Sequence, residues 1–256
     1  MIIQVYEIQT PDEADKIIDL GVTNFGSVVL SQADWRVPLI HETIRRIQSC
    51  GLRSSLIPLF QDTGVISRVL DYYAPDIVHF CDAFIGTHDA ESNVSRLLDV
   101  QQRIRAKYPE MAMMRTIPIS RPGLADPSHV MTLADTFEPV SDFFLIDTVM
   151  AEASGGAMSS EPVEGFVGIT GKICDWNVAA ALVDHAKIPV ILAGGISPEN
   201  AYAAVHHVRP AGIDSCTGTN ALGVDGLPIR FQKDRRKVHR LVQETRRAEQ
   251  ALARVS

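Results

Sequence analysis

Two glycine turns in the second half of the chain have the residue types of an anion-binding site. Gly194 and Gly195 end an apolar run and stand directly before "ISPEN", where a helical pattern begins. Glycine allows the backbone to approach a ligand closely, and the start of a helix offers free N–H groups that suit an anion. Thr217 and Gly218, in "DSCTGTN", form a similar turn after the next apolar run. These turns predict a phosphate site, with two ordinary tight turns as the alternative.

Apolar runs that alternate with helical patterns would position these turns. Strand alternating with helix indicates parallel βαβ units, and eight units in 256 residues fit an α/β protein with a (β/α)8 TIM barrel as its single domain, residues 1–256. The loops after strands seven and eight of such barrels often bind phosphate. A doubly wound sheet is the alternative, but the first unit lacks its usual G-x-G-x-x-G. The predicted strands are residues 2–8, 25–30, 52–60, 76–80, 111–119, 143–149, 188–194 and 211–218.

Composition and charge argue against several classes of protein. The hydrophobic fraction is 46% and the charged fraction 21%, which is ordinary for a globular protein. A net charge of -7 gives no support for binding to nucleic acid or to an anionic membrane. No apolar run reaches the roughly 18 residues of a membrane span. The N-terminus lacks the basic start of a signal peptide, so we expect a cytoplasmic protein.

The cysteines and histidines do not indicate a metal site. Cys50, Cys81, Cys174 and Cys216 are widely separated, without a C-x-x-C pair. A disulfide framework or a structural zinc site is therefore not predicted. The "HDAES" segment at residues 88–92 mixes histidine with acids, and we interpret it as a polar helix start.

Two long segments interrupt the alternation of strands and helices. Residues 82–109 show helical spacing in their second half, whereas residues 148–170 are rich in Gly and Ser. Long loops of this kind are often lids or binding loops, and we expect residues 148–170 to be a mobile lid. Near the C-terminus, residues 226–232 read as a connector. The basic segment after them has helical spacing of apolar residues and predicts a closing barrel helix.

Three segments carry motifs of a known family. They are "VILAGGISPENAYAAVHHVRPAGIDSCTGTN" at 190–220, "GITGKICDW" at 168–176 and "LIDT" at 145–148. Together they resemble phosphoribosylanthranilate isomerase, a barrel enzyme of tryptophan biosynthesis. The second segment matches a phosphate-binding segment of that family, which adds Gly171 to the expected phosphate site, although Ile169 replaces a family glycine. The resemblance is strong over about residues 141–240 and weaker but collinear over residues 1–49.

The resemblance implies an Amadori rearrangement of an aminoaldose to an aminoketose, without a metal or another cofactor. In that reaction a general acid protonates the ring oxygen of the ribosyl group, and a general base removes the C2 proton. The implied ligand is a small phosphorylated sugar. We expect neither nucleic acid nor membrane as a partner, and a homodimer stays open.

The resemblance also assigns roles to three side chains. Asp147, at the end of strand six, matches the general acid of the family, while capping of the next turn is the alternative. Arg36 matches an arginine near the anthranilate carboxylate, which a guanidinium can bind in bidentate fashion. A surface arginine is the alternative there. Asp214 matches an aspartate of strand eight and is expected to support substrate binding.

Strand one departs from the family. The family base is a cysteine there, but an alignment without gaps places Tyr6 and Glu7 at that cysteine and the glycine after it. A thiolate base at this position is therefore excluded. Glu7 is chemically able to act as the base, whereas Tyr6 is a poor base unless its pKa is strongly depressed. Strict alternation would place the two side chains on opposite faces, unless the strand has already ended. A base elsewhere, or no isomerase chemistry, stays open.

We therefore predict isomerisation of a phosphoribosyl substrate. One alternative is a phosphosugar-binding barrel with changed chemistry, such as an aldolase or an epimerase. Another is a non-catalytic relative that kept only the phosphate site. A Schiff-base aldolase would need a lysine on a strand, and the predicted strands contain none.

Overall fold

The computed structural model describes residues 1–84, 90–150, 165–168 and 170–254. Eight parallel strands close into a barrel in sequence order, and the first strand pairs with the eighth through Gln4 and Asp214. The prediction of a (β/α)8 barrel is thus confirmed, and each predicted strand contains or overlaps an observed one. The strands are β1 (Ile2–Val5), β2 (Asn24–Val29), β3 (Arg53–Pro58), β4 (Ile77–Phe80), β5 (Ala112–Ser120), β6 (Phe143–Val149), β7 (Val190–Leu192) and β8 (Gly212–Ser215).

Helices follow the strands along the chain. The first begins as its sequence predicts, because Thr10 caps it by accepting a hydrogen bond from the Glu13 amide and Pro11 occupies its first position. The last buries Val238 and Leu241 and is the predicted closing helix. None of the described helices is long and apolar enough to cross a membrane. The helices are α1 (Pro11–Asp15), α2 (Pro38–Ser49), α3 (Thr63–Tyr73), α4 (Ala90–Lys107), α5 (Pro127–Phe137), α6 (Trp176–His185), α7 (Ala201–Val208) and α8 (Arg235–Ala253).

A β-hairpin stands between β8 and α8. Strand β9 (Asn220–Leu222) pairs antiparallel with β10 (Pro228–Lys233), so the predicted connector at residues 226–232 forms part of a hairpin, which the sequence analysis did not predict. The turn between the strands is held by the Gly223 amide, which donates to the Leu227 carbonyl. The pairing is irregular and Pro228 opens its strand, which removes the regular alternation that would reveal a strand in the sequence.

A buried ion pair fixes the segment after β4. The Arg115 guanidinium on β5 is fully buried among phenylalanine rings and donates to Asp82 Oδ2 at 2.8 Å and to Gln101 Oε1 at 2.8 Å. A guanidinium in such surroundings needs a carboxylate partner, because an unpaired buried charge is strongly destabilising. The pair therefore holds residues 81–83 at the end of β4.

Residues 165–168 cross the mouth of the barrel to the same segment. The Ala83 amide donates to the Gly165 carbonyl at 2.9 Å, and the Val167 amide donates to the Cys81 carbonyl at 2.8 Å. These two bonds place a short stretch of chain over the strand ends. Most of the predicted lid, residues 151–164 and 169, lies outside the described residues.

The barrel interior depends on a close contact between Tyr6 and Gly26. A Cβ atom added to Gly26 on β2 would lie 2.1 Å from Cδ1 of the Tyr6 ring. Because the Tyr6 hydroxyl is also held by hydrogen bonds to Ser55 and His79, the ring has no free direction in which to move. The absence of a side chain at Gly26 is therefore what allows the tyrosine to fill this layer of the barrel.

We expect Gly26→Ala to destabilise the protein by about 1–3 kcal/mol, the usual cost of overpacking a core. Urea unfolding of the wild type, Gly26→Ala, Tyr6→Ala and the double variant measures the coupling between the two sites. The alanine at Gly26 should cost much less when Tyr6 is already alanine. Equal costs in both backgrounds would show that the ring does not depend on this glycine.

Candidate active site

Two adjoining cavities open at the carboxyl ends of the barrel strands. The apolar cavity, of about 580 Å³, is lined by Tyr6, Glu7, Val28, Ile57, Leu59, His79, Cys81, Thr116, Leu145, Asp147, Phe166, Val167, Gly168, Asp214 and Cys216. The glycine cavity, of about 300 Å³, is lined by Asp147, Thr170, Gly171, Ala193, Gly194, Gly195, Ile196, Asp214, Cys216, Thr217 and Gly218. Asp147, Asp214 and Cys216 belong to both walls. A single ligand with two chemically different ends can therefore extend from one cavity into the other.

The glycine cavity brings together all five residues that the sequence predicts for a phosphate site. Gly194 and Gly195 have positive φ angles of 71° and 64°, a conformation that favours glycine. A Cβ atom on Gly195 would lie 2.7 Å from the carbonyl carbon of Lys172, so only glycine fits against that turn. Gly171, Thr217 and Gly218 complete the group from the opposite side.

The polar residues after the glycine pair explain the shape of this turn. The Asn200 side chain donates to the Gly195 carbonyl at 2.9 Å and accepts from the Ser197 amide at 2.8 Å. These two bonds fold the chain back on itself directly before α7. The "SPEN" sequence thus fixes the glycine pair against the start of the helix.

Asp147 stands where the two cavities meet. It is half-buried at the end of β6, and its Oδ1 accepts a hydrogen bond of 2.7 Å from the amide of Thr148. The Thr148 hydroxyl in turn donates to the Lys172 carbonyl at 2.6 Å, which ties the end of β6 to the loop before α6. Gly168 lies so close that a Cβ atom there would be 2.9 Å from Asp147 Oδ2. The segment that crosses the mouth therefore reaches this carboxyl group.

Asp214, on β8, is a second carboxyl group in both walls. It is 5% exposed, and its Oδ1 has no hydrogen-bond partner among the described residues. Burial, and then the charge of Asp147, raise the pKa of Asp214 to about 8, while a hydrogen bond from Gln4 and the charge of Lys233 act against this rise. The group is therefore mostly protonated at neutral pH.

Glu7 faces the apolar cavity together with Tyr6. Strand β1 ends at Val5, and Glu7 has a positive φ of 66°, so strand alternation no longer applies at these two positions. Glu7 is buried, and its Oε1 accepts hydrogen bonds from Arg230 Nε, at 2.8 Å, and Nη2. Its Oε2 is buried without a hydrogen-bond partner in the described part of the chain. The arginine comes from β10 of the unpredicted hairpin.

Tyr6 is the centre of a buried hydrogen-bonded chain. Its hydroxyl lies 2.6 Å from Ser55 Oγ and 2.7 Å from His79 Nδ1, and His79 Nε2 lies 2.8 Å from Thr116 Oγ1. Burial raises the pKa of Tyr6 well above its usual value. Burial, and then the charge of Arg115, lower the pKa of His79 to about 3. Both side chains are therefore neutral at physiological pH, and Tyr6 does not have the depressed pKa that a base would need.

Arg36 does not line either cavity. Its side chain is exposed, and the guanidinium carbon lies 4.7 Å from the centre of the Trp35 ring and 5.8 Å from that of Tyr72 on α3. Stacking on aromatic rings is a common position for arginine. This stacking holds the Arg36 guanidinium against Trp35 and Tyr72. The structure therefore does not bring Arg36 together with the other predicted site residues.

Two cysteines that sequence reasoning left out, Cys81 and Cys216, line the apolar cavity. Burial is the main reason why the pKa of each thiol lies above its usual value, and neighbouring carboxylates raise it further. Both are thiols rather than thiolates at neutral pH, so neither replaces the thiolate that strand one lacks. Among the described residues, no group of three or more His, Cys, Asp and Glu side chains is arranged to hold a metal ion.

Comparison with known proteins identifies relatives of the chain. A sequence model for N-(5'-phosphoribosyl)anthranilate isomerase matches residues 119–244. An enzyme of that name from Methanocella arvoryzae is 32% identical over 148 residues, which is 58% of this chain and 57% of the relative. The match thus spans little more than half the length of that curated relative.

Solved structures of the same name share the fold. A Thermotoga maritima structure, of monomers generated from a dimeric phosphoribosylanthranilate isomerase, has a TM-score of 0.66 at 15% identity and covers 96% of this chain and 99% of its own. A phosphoribosylanthranilate isomerase in complex with reduced 1-(o-carboxyphenylamino)-1-deoxyribulose 5-phosphate has a TM-score of 0.63 at 16% identity, with the same coverage. At these identities the structures support the barrel fold alone. The sequence comparisons therefore show that residues 119–244 are similar to N-(5'-phosphoribosyl)anthranilate isomerases, and the structures show that the whole chain shares their barrel fold.

Proposed function

We propose that the protein isomerises an aminoaldose phosphate to an aminoketose phosphate, with phosphoribosylanthranilate as its substrate. The main observation is the position of Asp147 at the junction of the two cavities. A ligand with its phosphate in the glycine cavity and its aromatic group in the apolar cavity would place the sugar ring beside this carboxyl group. The related structure with a phosphorylated aromatic ligand supports a compound of this shape.

Asp147 would act as the general acid. Protonation of the furanose ring oxygen lets the C1–O bond break, while the nitrogen lone pair forms a C=N bond to C1. A base then removes the proton from C2, and the C–H electrons form a C=C bond as the C=N electrons return to nitrogen. The resulting enol tautomerises to the ketone. The sequence of steps needs one acid and one base and no redox partner.

Glu7 is the group that we assign as the base. Glu7 lines the apolar cavity, and its Oε1 is fixed by Arg230. A carboxylate held at one oxygen presents the other in a defined direction, as proton abstraction requires. Its unusual positive φ also fits a functional position, because strained backbone is often found at active sites.

The first prediction concerns the acid and the base. Asp147→Asn and Glu7→Gln should each lower kcat on phosphoribosylanthranilate by about 10²–10⁴-fold, the usual contribution of a general acid or base, with little change in KM. Tyr6→Phe should cost less, because the buried hydroxyl does not exchange a proton with the substrate. Initial rates of the purified variants measure this.

Glu7→Gln with wild-type rates would remove Glu7 from the mechanism. A wild-type protein without activity, which also fails to restore growth to a strain lacking this isomerase, would favour changed chemistry or a non-catalytic phosphosugar-binding protein.

The second prediction concerns the phosphate. Gly195→Ala should weaken binding of inorganic phosphate by at least about tenfold, because the new Cβ must displace the Lys172 turn. Gly51→Ala is the matched control, since Gly51 has a similar φ of 70° but no atom within 4 Å of the added Cβ. Because both variants carry comparable backbone strain, a difference between their phosphate affinities, measured by calorimetric titration, reports the changed shape of the cavity rather than strain. Equal phosphate affinity in the two variants would place the anion elsewhere.

The third prediction concerns Arg36, whose role in binding the anthranilate carboxylate stays a prediction. If Arg36 leaves its stack on Trp35 to bind the carboxylate, Arg36→Met should raise KM by about tenfold or more and leave kcat nearly unchanged. The affinity for inorganic phosphate should not change. An unaltered KM would show that Arg36 remains in the aromatic stack during turnover.

A further inference from the structure

Asp214 is the most deeply buried carboxyl group with access to both cavities. It occupies the barrel position beside Gln4, where β1 and β8 pair. Its Oδ1 is buried and has no hydrogen-bond partner among the described residues. The Asp214 residue forms part of the wall of both cavities. A buried polar atom that lacks a partner is costly and is often found where a ligand binds. The described residues therefore leave one carboxyl oxygen of Asp214 without a partner beside the space where the two cavities meet.

The groups around Asp214 disfavour a negative charge on it. Asp147 on β6 faces it with a like charge, and the Glu7 carboxylate and the Cys216 and Tyr6 side chains stand in the same cavity wall. On the other side, Gln4 donates a hydrogen bond to it. Lys233 on β10, whose charge also acts on Asp214, donates to the Cys216 carbonyl at 2.9 Å and to Asn220 Oδ1 at 2.5 Å rather than to Asp214. Neither cavity wall contains a lysine or arginine among the described residues.

We infer that Asp214 works as a neutral carboxylic acid that donates a hydrogen bond to the sugar phosphate spanning the two cavities. The identity of that ligand rests on the proposed function. A neutral Asp214 offers an O–H donor at the unpartnered oxygen, which an ionised carboxylate could not do. A neutral Asp214 also adds no negative charge to the wall of a cavity that must accept a phosphate. A pKa of about 8 keeps the group protonated over the neutral range.

The pH dependence follows from this state. Below pH 8 Asp214 carries its proton and binds the ligand, and as the pH rises through about 8 it ionises, loses its donor and repels the phosphate. Ligand affinity should therefore fall on the alkaline side. A group that acts as an ionised base would give the opposite trend, with activity rising through the same pH range.

The test compares Asp214→Asn with Asp214→Ala. The asparagine amide keeps a donor and is neutral at every pH, whereas alanine removes the donor. Inorganic sulfate is the probe, because its charge is constant across the range, and its affinity is measured by calorimetry at about pH 6.5 and about pH 9.5. Initial rates on phosphoribosylanthranilate are recorded for the same variants.

We expect the wild type to lose at least about tenfold in sulfate affinity between the two pH values, the effect of one added charge nearby. Asp214→Asn should lose much less, and its activity should extend to higher pH than that of the wild type. Asp214→Ala should be the weaker variant at neutral pH. In ¹³C NMR of aspartate-labelled protein, the carboxyl signal that titrates near pH 8 should be absent from Asp214→Asn.

Three results would overturn the inference. One is loss of turnover in Asp214→Asn as severe as in Asp147→Asn with sulfate binding intact, which would make Asp214 an ionised catalytic base. Another is the same alkaline loss of sulfate affinity in the wild type and Asp214→Asn. The third is a wild type that binds no sulfate at about pH 6.5. Absence of wild-type turnover with the expected sulfate and NMR results would contradict only the proposed function.

Discussion

Carboxyl groups that share one enclosed space set the main electrostatic constraint on this protein. Like charges in a poorly solvated cavity repel each other strongly, and each buried charge also loses its hydration. The electrostatic cost is reduced differently at each of the three carboxyl groups, Glu7, Asp147 and Asp214. Glu7 is paired with Arg230, Asp214 takes up a proton, and Asp147 stays half-exposed with a hydrogen bond from the next amide. At neutral pH the site therefore combines a paired carboxylate, a neutral acid and a partly solvated carboxyl group.

This distribution depends on chain segments that lie outside the barrel strands. The hairpin of β9 and β10 supplies Arg230, and the same hairpin supplies Lys233, which holds the chain after β8. Across the mouth, residues 165–168 lie over Asp147 because the buried pair of Arg115 and Asp82 fixes the segment to which they are bonded. The barrel thus provides the positions of the carboxyl groups, and the added loops determine their charge and exposure.

The sequence predicts the barrel and the phosphate site because each depends on local patterns. Apolar runs reveal buried strands, and glycines at strand ends reveal turns that come close to a ligand. The same reasoning does not find Arg230, which meets Glu7 across 223 positions of sequence, because spacing carries no signal for such a contact. Sequence reasoning also cannot tell whether the Glu7 side chain points into or out of the barrel, because a positive φ in a residue other than glycine has no sequence signature. His79 and Cys81 were missed because an apolar strand looks the same whichever of its residues faces the cavity.

The buried chain of Tyr6, Ser55, His79 and Thr116 limits which single substitutions the barrel interior tolerates. It connects the strands β3, β4 and β5 with the end of β1, and each member satisfies the polar groups of its neighbours. A cysteine at position 6 would be too small to reach those partners and would leave a void against Gly26. Placing a thiol at this position would therefore require coordinated replacement of several interior residues. Such mutual dependence makes position 6 resistant to change by single substitutions.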